Sequence, residues 1–406
     1  MRPVSAAGRS QSGRLAITTV FFVSGLVYTS FYARLPAIQA HLDLRPGALG
    51  VALLGAPAGL LVAQPVVGAV IARRGSRSVV ALTPVLVLTA VLPALAVDLA
   101  SLFLAVLAVG ASNGALDIAM NDQGLAVEIA AGRRLFASLH AALSFGALGG
   151  AALAAAAAAL GLPVAAHLAL VAGAGAVVAR ATLRGLPESR PQPASVRFAR
   201  PSRLLAVLGA IAFCALLAEG AMFDWTSVYL ARELHTTDGA AALGLAAFLV
   251  TMGAGRLAAD TLARRFGGAG VARASALLAT AGLAAGLATT NPMMACAGLA
   301  VMGLGLSALF PLTLHATRSQ PAAGPALAAV STLGYTGFLA GPPIIGLLAE
   351  TTSLRAALGL VCALCLVAAV LTRTWPDTAE KTTPHGVREA VPAGAHRSGT
   401  DAQHQS

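Results

Sequence analysis

Twelve long apolar runs constrain the fold of this chain more than any other feature of its sequence. A helix that crosses a bilayer needs about 20 mostly apolar residues. The runs lie near residues 15 to 38, 48 to 72, 79 to 97, 100 to 120, 135 to 160, 163 to 183, 204 to 230, 240 to 263, 271 to 290, 293 to 315, 325 to 349 and 354 to 372. They are continuous, unlike the alternating segments of about 10 residues in an outer-membrane barrel. The sequence therefore predicts an all-α polytopic membrane protein with two groups of six spans.

Composition excludes several classes of protein. Hydrophobic residues fill 57% of the 406 positions and charged residues 11%, whereas a soluble domain carries about 25% charged residues. A cytosolic enzyme is thereby excluded, and no close His, Ser or metal constellation suggests a membrane-embedded one. The chain has no nucleotide-binding loop of the G-x4-GK[ST] type, so neither ATP drive nor a cofactor is expected. The four cysteines fall within apolar runs, where free cysteine packs as a small hydrophobe.

The net charge of +11 indicates topology and not nucleic-acid binding, because the arginines form short clusters between apolar runs. Loops rich in Lys and Arg stay in the cytoplasm. Of the 27 basic residues, 22 fall on one side of the predicted spans, and only Arg34, Arg45, Arg232 and Arg355 fall on the other. We therefore predict a plasma-membrane protein of the bacterial inner-membrane type with both termini in the cytoplasm.

A Pro-rich, basic stretch separates the two groups of spans. It covers residues 185–202 and reads GLPESRPQPASVRFARPS. The predicted units are an N-terminal six-helix bundle over residues 1–184, a cytoplasmic linker over 185–202 and a C-terminal six-helix bundle over 203–375. Residues 376–406 are polar and lack apolar periodicity, so they are predicted to form a disordered cytoplasmic tail.

Three short matches between the two groups indicate an internal duplication. They pair Gly75 with Gly267 at an offset of 192 residues, Gly110-x-Ser112 with Gly305-x-Ser307 at 195, and Ser144-x4-Gly149 with Thr336-x4-Gly341 at 192. Duplicated carriers hold their transport site where the repeats meet. We therefore expect the site to lie between the two bundles.

The loop after the second apolar run resembles the signature loop of the major facilitator superfamily, Gly-x-x-x-[acid]-Arg-x-Gly-[basic]. It stands here as Gly68, Ala72, Arg73, Gly75 and Arg77. The resemblance implies two six-helix bundles and a gating role for the four members that match the motif. Ala72 departs from it, because in the family an acid at this place helps to lock the cytoplasmic side.

The loop after the eighth run resembles the same motif. We expect a second cytoplasmic latch there from Arg256, Asp260, Arg265 and Gly267. Arg256 and Asp260 are four residues apart, so they can pair on one face of a helix. This latch would replace the lock that Ala72 removes from the first loop.

Five segments resemble the MosC-like branch of that superfamily, a group of rhizopine or sugar-type transporters. They are RLPAI (residues 34–38), NGALDIAMNDQG (113–124), SLHAALSFG (138–146), AEGAMFDW (218–225) and TLGYTGFLAGPPIIG (332–346). The resemblance covers nearly the whole chain except the tail. We also expect the protein to be a monomer in the lipid bilayer.

Four acids fall inside the apolar runs, namely Asp117, Glu219, Asp224 and Asp260. Charge at the bilayer centre costs several kcal/mol, so such acids usually face a cavity or a partner. Asp117, Glu219 and Asp224 are predicted to couple transport to protons. Asn113 and Asn121 flank Asp117 at spacings of four and share its helix face, which predicts a solute-lining stripe. The alternative is a hydrogen-bonded seam between helices.

Other polar and aromatic residues are candidates for the site or its gates. Trp225 and Tyr229 are predicted to stack on a sugar ring or an amine, or alternatively to anchor a helix at the membrane interface. Arg34 and Asp224 fall at matched depths in related runs, so they could close an outer gate as an ion pair. Arg34 could instead bind an anionic group of the solute or extend to the interface. His140 and His315 are each a candidate proton relay or a packing residue.

Together these features predict a secondary transporter that exposes one central site alternately to each side of the membrane. The expected solute is small and polar, with polyols, sugars or their amino derivatives first, and the expected coupling ion is the proton. One alternative is an efflux carrier for drugs or metabolites with the same fold. Another, from a different class, is a membrane receptor or sensor that binds a ligand without moving it.

Overall fold

The computed structural model describes residues 6–131, 135–186, 202–317 and 323–375. Within these ranges the side chains of residues 6–10, 136–137, 260, 323–325 and 328 are not described. The described residues form helices joined by short turns, and no strand occurs among them. This confirms the predicted all-α class. The predicted tail and nearly all of the predicted linker lie outside the described residues.

Twelve helical segments run from one end of the described molecule to the other. They are α1 (Ala6–Ala33), α2 (Pro46–Arg74), α3 (Thr83–Leu95), α4 (Leu99–Ala131), α5 (Phe136–Ala159), α6 (Val164–Thr182), α7 (Arg203–Arg232), α8 (Asp238–Phe266), α9 (Gly268–Ala288), α10 (Pro292–Ala316), α11 (Ala323–Thr351) and α12 (Leu354–Leu371). Eleven are long and apolar enough to cross a membrane by length and composition, and α3 is a shorter apolar helix. We refer to α1–α6 and α7–α12 as the two halves.

The helix α3 differs from the continuous span predicted over residues 79 to 97. Thr83–Leu86 is α-helical and Val87–Leu95 is a 3₁₀ helix. Pro84 lies at the start of the first segment, and Pro93 lies inside the second. Proline has no N–H to donate and disturbs regular helical bonding. A 3₁₀ helix rises about 2.0 Å per residue, against about 1.5 Å in an α-helix, so α3 covers more depth than its length suggests.

The helix α4 is longer than the predicted span, which ended near residue 120. It begins after Asp98, whose Oδ1 accepts a hydrogen bond from the Ser101 backbone N–H at 2.8 Å. Hydrogen bonds from Ser101 hold the pKa of the Asp98 carboxyl below its usual range. No proline follows within the helix, and α4 continues to Ala131. Its polar last turns therefore extend past the apolar run.

The two ends of the molecule differ in charge. At one end α2 and α8 finish and α7 begins, and this end carries Arg73, Arg74, Arg203, Arg264 and Arg265. We name it the arginine-rich side, and the other end the opposite side. The positive-inside rule predicts that the arginine-rich side is cytoplasmic.

The two halves pack their first and fifth helices in the same way. A Cβ atom on Gly146 would overlap the Phe22 carbonyl oxygen, so α5 lies directly against the α1 backbone. In the second half, Gly337 places α11 against the carbonyl of Phe213 on α7 in the same manner. Gly337 follows Gly146 by 191 residues in the sequence, and Phe213 follows Phe22 by the same number. This constant offset supports the duplication.

The predicted sequence match between α4 and α10 is displaced. Gly110 lies against Ala56, which brings α4 onto α2. The residue that makes the equivalent contact in the second half is Gly303, which lies against Phe248 and brings α10 onto α8. Gly305, the predicted counterpart, packs on α9 instead. The sequence match paired Gly110 with Gly305, two residues beyond Gly303, because glycine is frequent in this helix.

The hydrophobic interior is shared between the halves on the opposite side and divided on the arginine-rich side. One cluster of buried residues draws on both halves and includes Phe31 and Phe248. A second cluster, around Met120, lies within the first half, and a third, around Ile211, lies within the second. The halves therefore meet on the opposite side and separate toward the arginine-rich side. We call the space between them the cleft.

The close contact of α1 with α5 gives a test of this packing. Replacing Gly146 by Ala should lower the thermal unfolding temperature of the detergent-purified protein, because overpacking a tight contact costs about 1–3 kcal/mol. Gly173→Ala on α6 is the matched control, because no atom lies within 4 Å of a Cβ at that position. Equal unfolding temperatures for the two variants would contradict the packing described here.

Candidate functional site

Polar side chains of the first half meet near the middle of the molecule. Asp117 on α4 is exposed. The Asn121 amide donates hydrogen bonds to the Asp117 backbone carbonyl at 2.7 Å and to its Oδ1 at 3.1 Å. His140 on α5 lies close enough to Asp117 to interact with it electrostatically. The predicted stripe therefore does share one face, and Asn113, a half-buried residue one turn before Asp117, continues it.

Polar side chains of the second half face this group across the cleft. Glu219 on α7 and Arg256 on α8 form an ion pair with 2.8 Å between the Glu219 Oε1 and an Arg256 terminal nitrogen. The Glu219 side chain is 12% exposed and that of Arg256 is 40% exposed. Tyr335 on α11 interacts electrostatically with both Asp117 and Glu219. It therefore links the acids of the two halves.

We call these residues the central polar cluster. Its members are Asp117, Asn121, His140, Glu219, Arg256 and Tyr335. Five helices contribute to it: α4 and α5 from the first half, and α7, α8 and α11 from the second. The cluster lies where the shared hydrophobic interior ends and the cleft begins. A small polar molecule that entered the cleft would meet donors and acceptors from both halves here.

The ion pair changes one predicted role. Arg256 was expected to pair with Asp260 in a cytoplasmic latch, but its guanidinium binds Glu219 on a different helix. The side chain of Asp260 lies outside the described residues, so the latch stays a prediction. Arg256 belongs to the central polar cluster because α8 brings it beside α7 at the depth of Glu219.

Asp224 lies on another face of α7, away from the cleft. It is 6% exposed and makes no hydrogen bond to a described residue. Tyr32 on α1 interacts with it electrostatically. One turn later the Ser227 hydroxyl donates to the Tyr32 backbone carbonyl at 3.2 Å. Asp224 is therefore buried in the seam that closes the opposite side.

The predicted outer gate between Arg34 and Asp224 is not formed. Arg34 is 4% exposed, and its guanidinium donates to the carbonyls of Ala154 at 3.4 Å and Leu162 at 2.9 Å. The helix α1 ends at Ala33, so Arg34 turns toward the connection between α5 and α6 within its own half. Its cross-half electrostatic partner is Asp238, at the start of α8.

Trp225 and Tyr229 do not face the cleft. Both are buried, at 0% and 1% exposure, within the shared hydrophobic interior. Trp225 lies about 120° around the helix from Glu219, and the Tyr229 hydroxyl approaches the Gly286 carbonyl of α9 at 3.5 Å. Neither stacking on a solute nor anchoring at the membrane surface fits this placement, because both rings are enclosed in the shared hydrophobic interior.

The opposite side is closed by contacts that sequence analysis missed. An Arg45 terminal nitrogen lies 3.7 Å from a Glu350 carboxylate oxygen, beside the start of α2 and near the end of α11. One turn deeper, Gly50 lies directly against Gly346, where any side chain would separate the helices. The Arg232 guanidinium donates to the Pro36 carbonyl at 3.2 Å. The hydrogen bonds of Ser227 and Arg232 and the ion pair of Arg45 thus join the two halves on this side.

The two predicted gating loops share an unusual backbone. Gly75 ends α2 with φ of +76°, and Gly267 ends α8 with φ of +82°. Only glycine adopts this region without strain. Arg73 is exposed, and Gly68 has no atom within 4 Å of a Cβ position. In the second loop the Arg265 guanidinium lies 5.2 Å from the centre of the Phe266 ring.

Tyr335 is the cluster member that sequence analysis did not propose. It is one of only four tyrosines in the chain, and it lies between Gly334 and Thr336 on a largely apolar helix. A polar aromatic residue within a membrane helix was the available signal. Its meeting with Asp117 depends on how α11 crosses the cleft, which no local pattern encodes.

Comparison with known sequences identifies the family. The family model of the Major Facilitator Superfamily matches residues 205–400. An uncharacterised MFS-type transporter of Yersinia pestis is 32% identical over 369 residues, covering 89% of this chain and 95% of that protein. The membrane protein MosC of Rhizobium meliloti is 31% identical over 376 residues, covering 90% and 92%. The chain belongs to the major facilitator superfamily and is a membrane transporter.

Solved structures share the fold. A mutant of the nucleoside transporter NupG superposes with a TM-score of 0.71 at 13% sequence identity, covering 89% of this chain and 99% of that one. The D-xylose-proton symporter gives a TM-score of 0.69 at 14% identity, covering 92% and 99%. The predicted twelve-helix fold is thus confirmed, and with the family the protein is a transporter and not an enzyme.

The cleft and the closed seam predict opposite thiol reactivities. The test uses proteoliposomes of a variant in which Cys214, Cys296, Cys362 and Cys365 are replaced by alanine. In this background Tyr335→Cys should react with a membrane-impermeant maleimide added from the arginine-rich side, because Tyr335 is 37% exposed. Ser227→Cys should stay protected from both sides, because Ser227 is 0% exposed. Faster labelling of Ser227→Cys than of Tyr335→Cys would contradict the arrangement.

Proposed function

We propose that this transporter moves a small polar solute of polyol, sugar or amino-sugar type by alternating access, coupled to protons. The observation that carries the proposal is the central polar cluster, which joins acids, an amide, an imidazole, a guanidinium and a phenol from both halves. Hydroxyl-rich molecules need such mixed donors and acceptors, whereas an apolar solute would displace water from these polar groups and leave them unpaired. The names of two structural relatives, a nucleoside transporter and a D-xylose-proton symporter, agree with this class of solute.

The bundles of the proposal are residues 1–184 and 203–375, joined by the cytoplasmic linker 185–202 and followed by the tail 376–406. With both termini in the cytoplasm of a bacterial-type plasma membrane, the cleft opens inward. Reorientation would then part the contacts of Gly50 with Gly346 and bring the arginine-rich ends together. The gating residues Gly68, Arg73, Gly75, Arg77, Arg265 and Gly267 lie at those ends. We propose that one chain performs the whole cycle as a monomer.

The ion pair supplies a means of coupling protons to the solute. A proton that binds Glu219 removes the charge that holds Arg256, so protonation and the release of Arg256 are linked. The freed guanidinium can then donate to solute oxygens in the cleft. Asp117, near His140, is the matching acid in the first half. Asp224 has no partner cation among the described residues of the closed seam, and it would gain access to water when the opposite side opens.

Glu219→Gln tests proton coupling at this pair. In proteoliposomes the variant should lose solute accumulation driven by a pH gradient while keeping solute exchange, because glutamine cannot exchange a proton but still accepts a hydrogen bond. Asp98→Asn, which alters an exposed acid in a loop, should accumulate solute normally. Unchanged accumulation by Glu219→Gln would remove this residue from the coupling mechanism.

A stabilisation screen tests the solute class. The purified protein should unfold at a higher temperature in the presence of its solute, since a ligand that binds only the folded state stabilises it. We expect a response to members of a panel of inositols, sugars and amino sugars, and its loss in Asn121→Ala. A response to lipophilic cations alone would instead favour a drug efflux carrier. Binding without flux in proteoliposomes would favour a receptor.

A further inference from the structure

An apolar groove on α2 ends at two unpaired arginines. The groove has a volume of about 550 Å³ and is lined by Pro65, Val66, Ala69, Val70, Arg73 and Arg74. Its lower part is apolar, and Val66 is 61% exposed. Its upper end lies at the arginine-rich side, where α2 finishes. The groove lies outside the central polar cluster and forms no part of the proposed solute site.

The two arginines at its end are free to bind an external anion. Arg73 and Arg74 are exposed and make no hydrogen bond or ion pair with any described residue. In the sequence, no Asp or Glu occurs between Asp43 and Asp98. Ala72 stands where the family motif has an acid that would compete for these side chains. Among the described residues, no carboxylate forms an ion pair with Arg73 or Arg74 at the end of the groove.

The loop after α8, which corresponds to the loop after α2, also follows two arginines, but these have partners. Arg264 and Arg265 end α8 as Arg73 and Arg74 end α2. The Arg264 guanidinium donates to the Thr261 hydroxyl at 3.1 Å, and Arg265 stacks on the neighbouring ring of Phe266. Those arginines have partners within their own helix. In the α2 loop, by contrast, Arg73 and Arg74 bind no described residue and adjoin an apolar groove.

The dimensions of the groove match one leaflet of a bilayer. From Pro65 to Arg74 the helix rises about 14 Å, and half of the hydrocarbon core is about 15 Å thick. Residues that line the groove are apolar at the depth of acyl chains and cationic at the depth of head groups. Basic sites beside apolar helix surfaces are known to select anionic lipids.

We propose that this groove binds an anionic phospholipid, with its phosphate between Arg73 and Arg74 and one acyl chain along Pro65, Val66 and Ala69. The argument rests on charge complementarity and on the match in length. The lipid would occupy the loop at which the first half turns toward the arginine-rich side.

The test compares lipids that differ only in the head group. The full-length protein in a neutral detergent is titrated with phosphatidylglycerol or with phosphatidylcholine of the same acyl chains, and binding is followed by native mass spectrometry and by thermal unfolding. We expect phosphatidylglycerol to bind and stabilise more strongly. The double variant R73Q/R74Q should weaken its binding by about tenfold or more, and high salt should weaken it in the unaltered protein. Arg264→Gln is the matched control and should keep full binding.

Two further arms keep the proposal open to refutation. Ala69→Phe should fill the groove, retain both arginines and still reduce phosphatidylglycerol binding. Soluble glycerol phosphate should not stabilise the protein, because it lacks an acyl chain. If the double variant does not purify as a monodisperse protein, Arg74→Gln replaces it. Equal binding of the two lipids, full binding by Ala69→Phe or stabilisation by glycerol phosphate would each overturn the proposal.

Discussion

A charged side chain that leaves water must find a compensating group, and this requirement determines how the helices of this transporter come together. Glu219 meets Arg256 at 2.8 Å across two helices. Arg34 donates to two backbone carbonyls, that of Ala154 in α5 and that of Leu162 in the connection to α6. Asp224 makes no hydrogen bond or ion pair with a described residue and lies enclosed beside Tyr32. These side chains thus lie at contacts between helices.

Glycine contacts allow these polar groups to meet. Where α1 adjoins α5 and where α7 adjoins α11, helix backbones touch, because Gly146 and Gly337 carry no side chain. A close contact between two glycines also brings α2 and α11 together on the opposite side, where Gly50 adjoins Gly346. Small residues are typical of membrane helix interfaces for this reason. The resulting structure is sealed at one end and open at the other, which is the geometry that an alternating carrier needs.

Much of the fold could be predicted from the sequence, because each membrane helix must satisfy its backbone locally and therefore leaves an apolar run. The stripe of Asp117 and Asn121 was also local, since residues four apart share a helix face. The partner of Glu219 was not predictable, because Arg256 has an acid four residues away that was an equally good local candidate. The burial of Trp225 depends on the rotation of α7 about its axis. That rotation is set by neighbouring helices and not by residues within the run.

The paired glycines that end α2 and α8 show what a duplication keeps and what it discards. Positive φ values of +76° and +82° tie both positions to glycine whatever their neighbours become. The arginines beside them have no such restriction, and one pair has acquired partners within its helix while the other has not. The two halves therefore share the backbone conformation of these loops, as expected after a duplication. They differ in the partners of the neighbouring arginines, and such positions are the ones to alter first when one half is to be changed without the other.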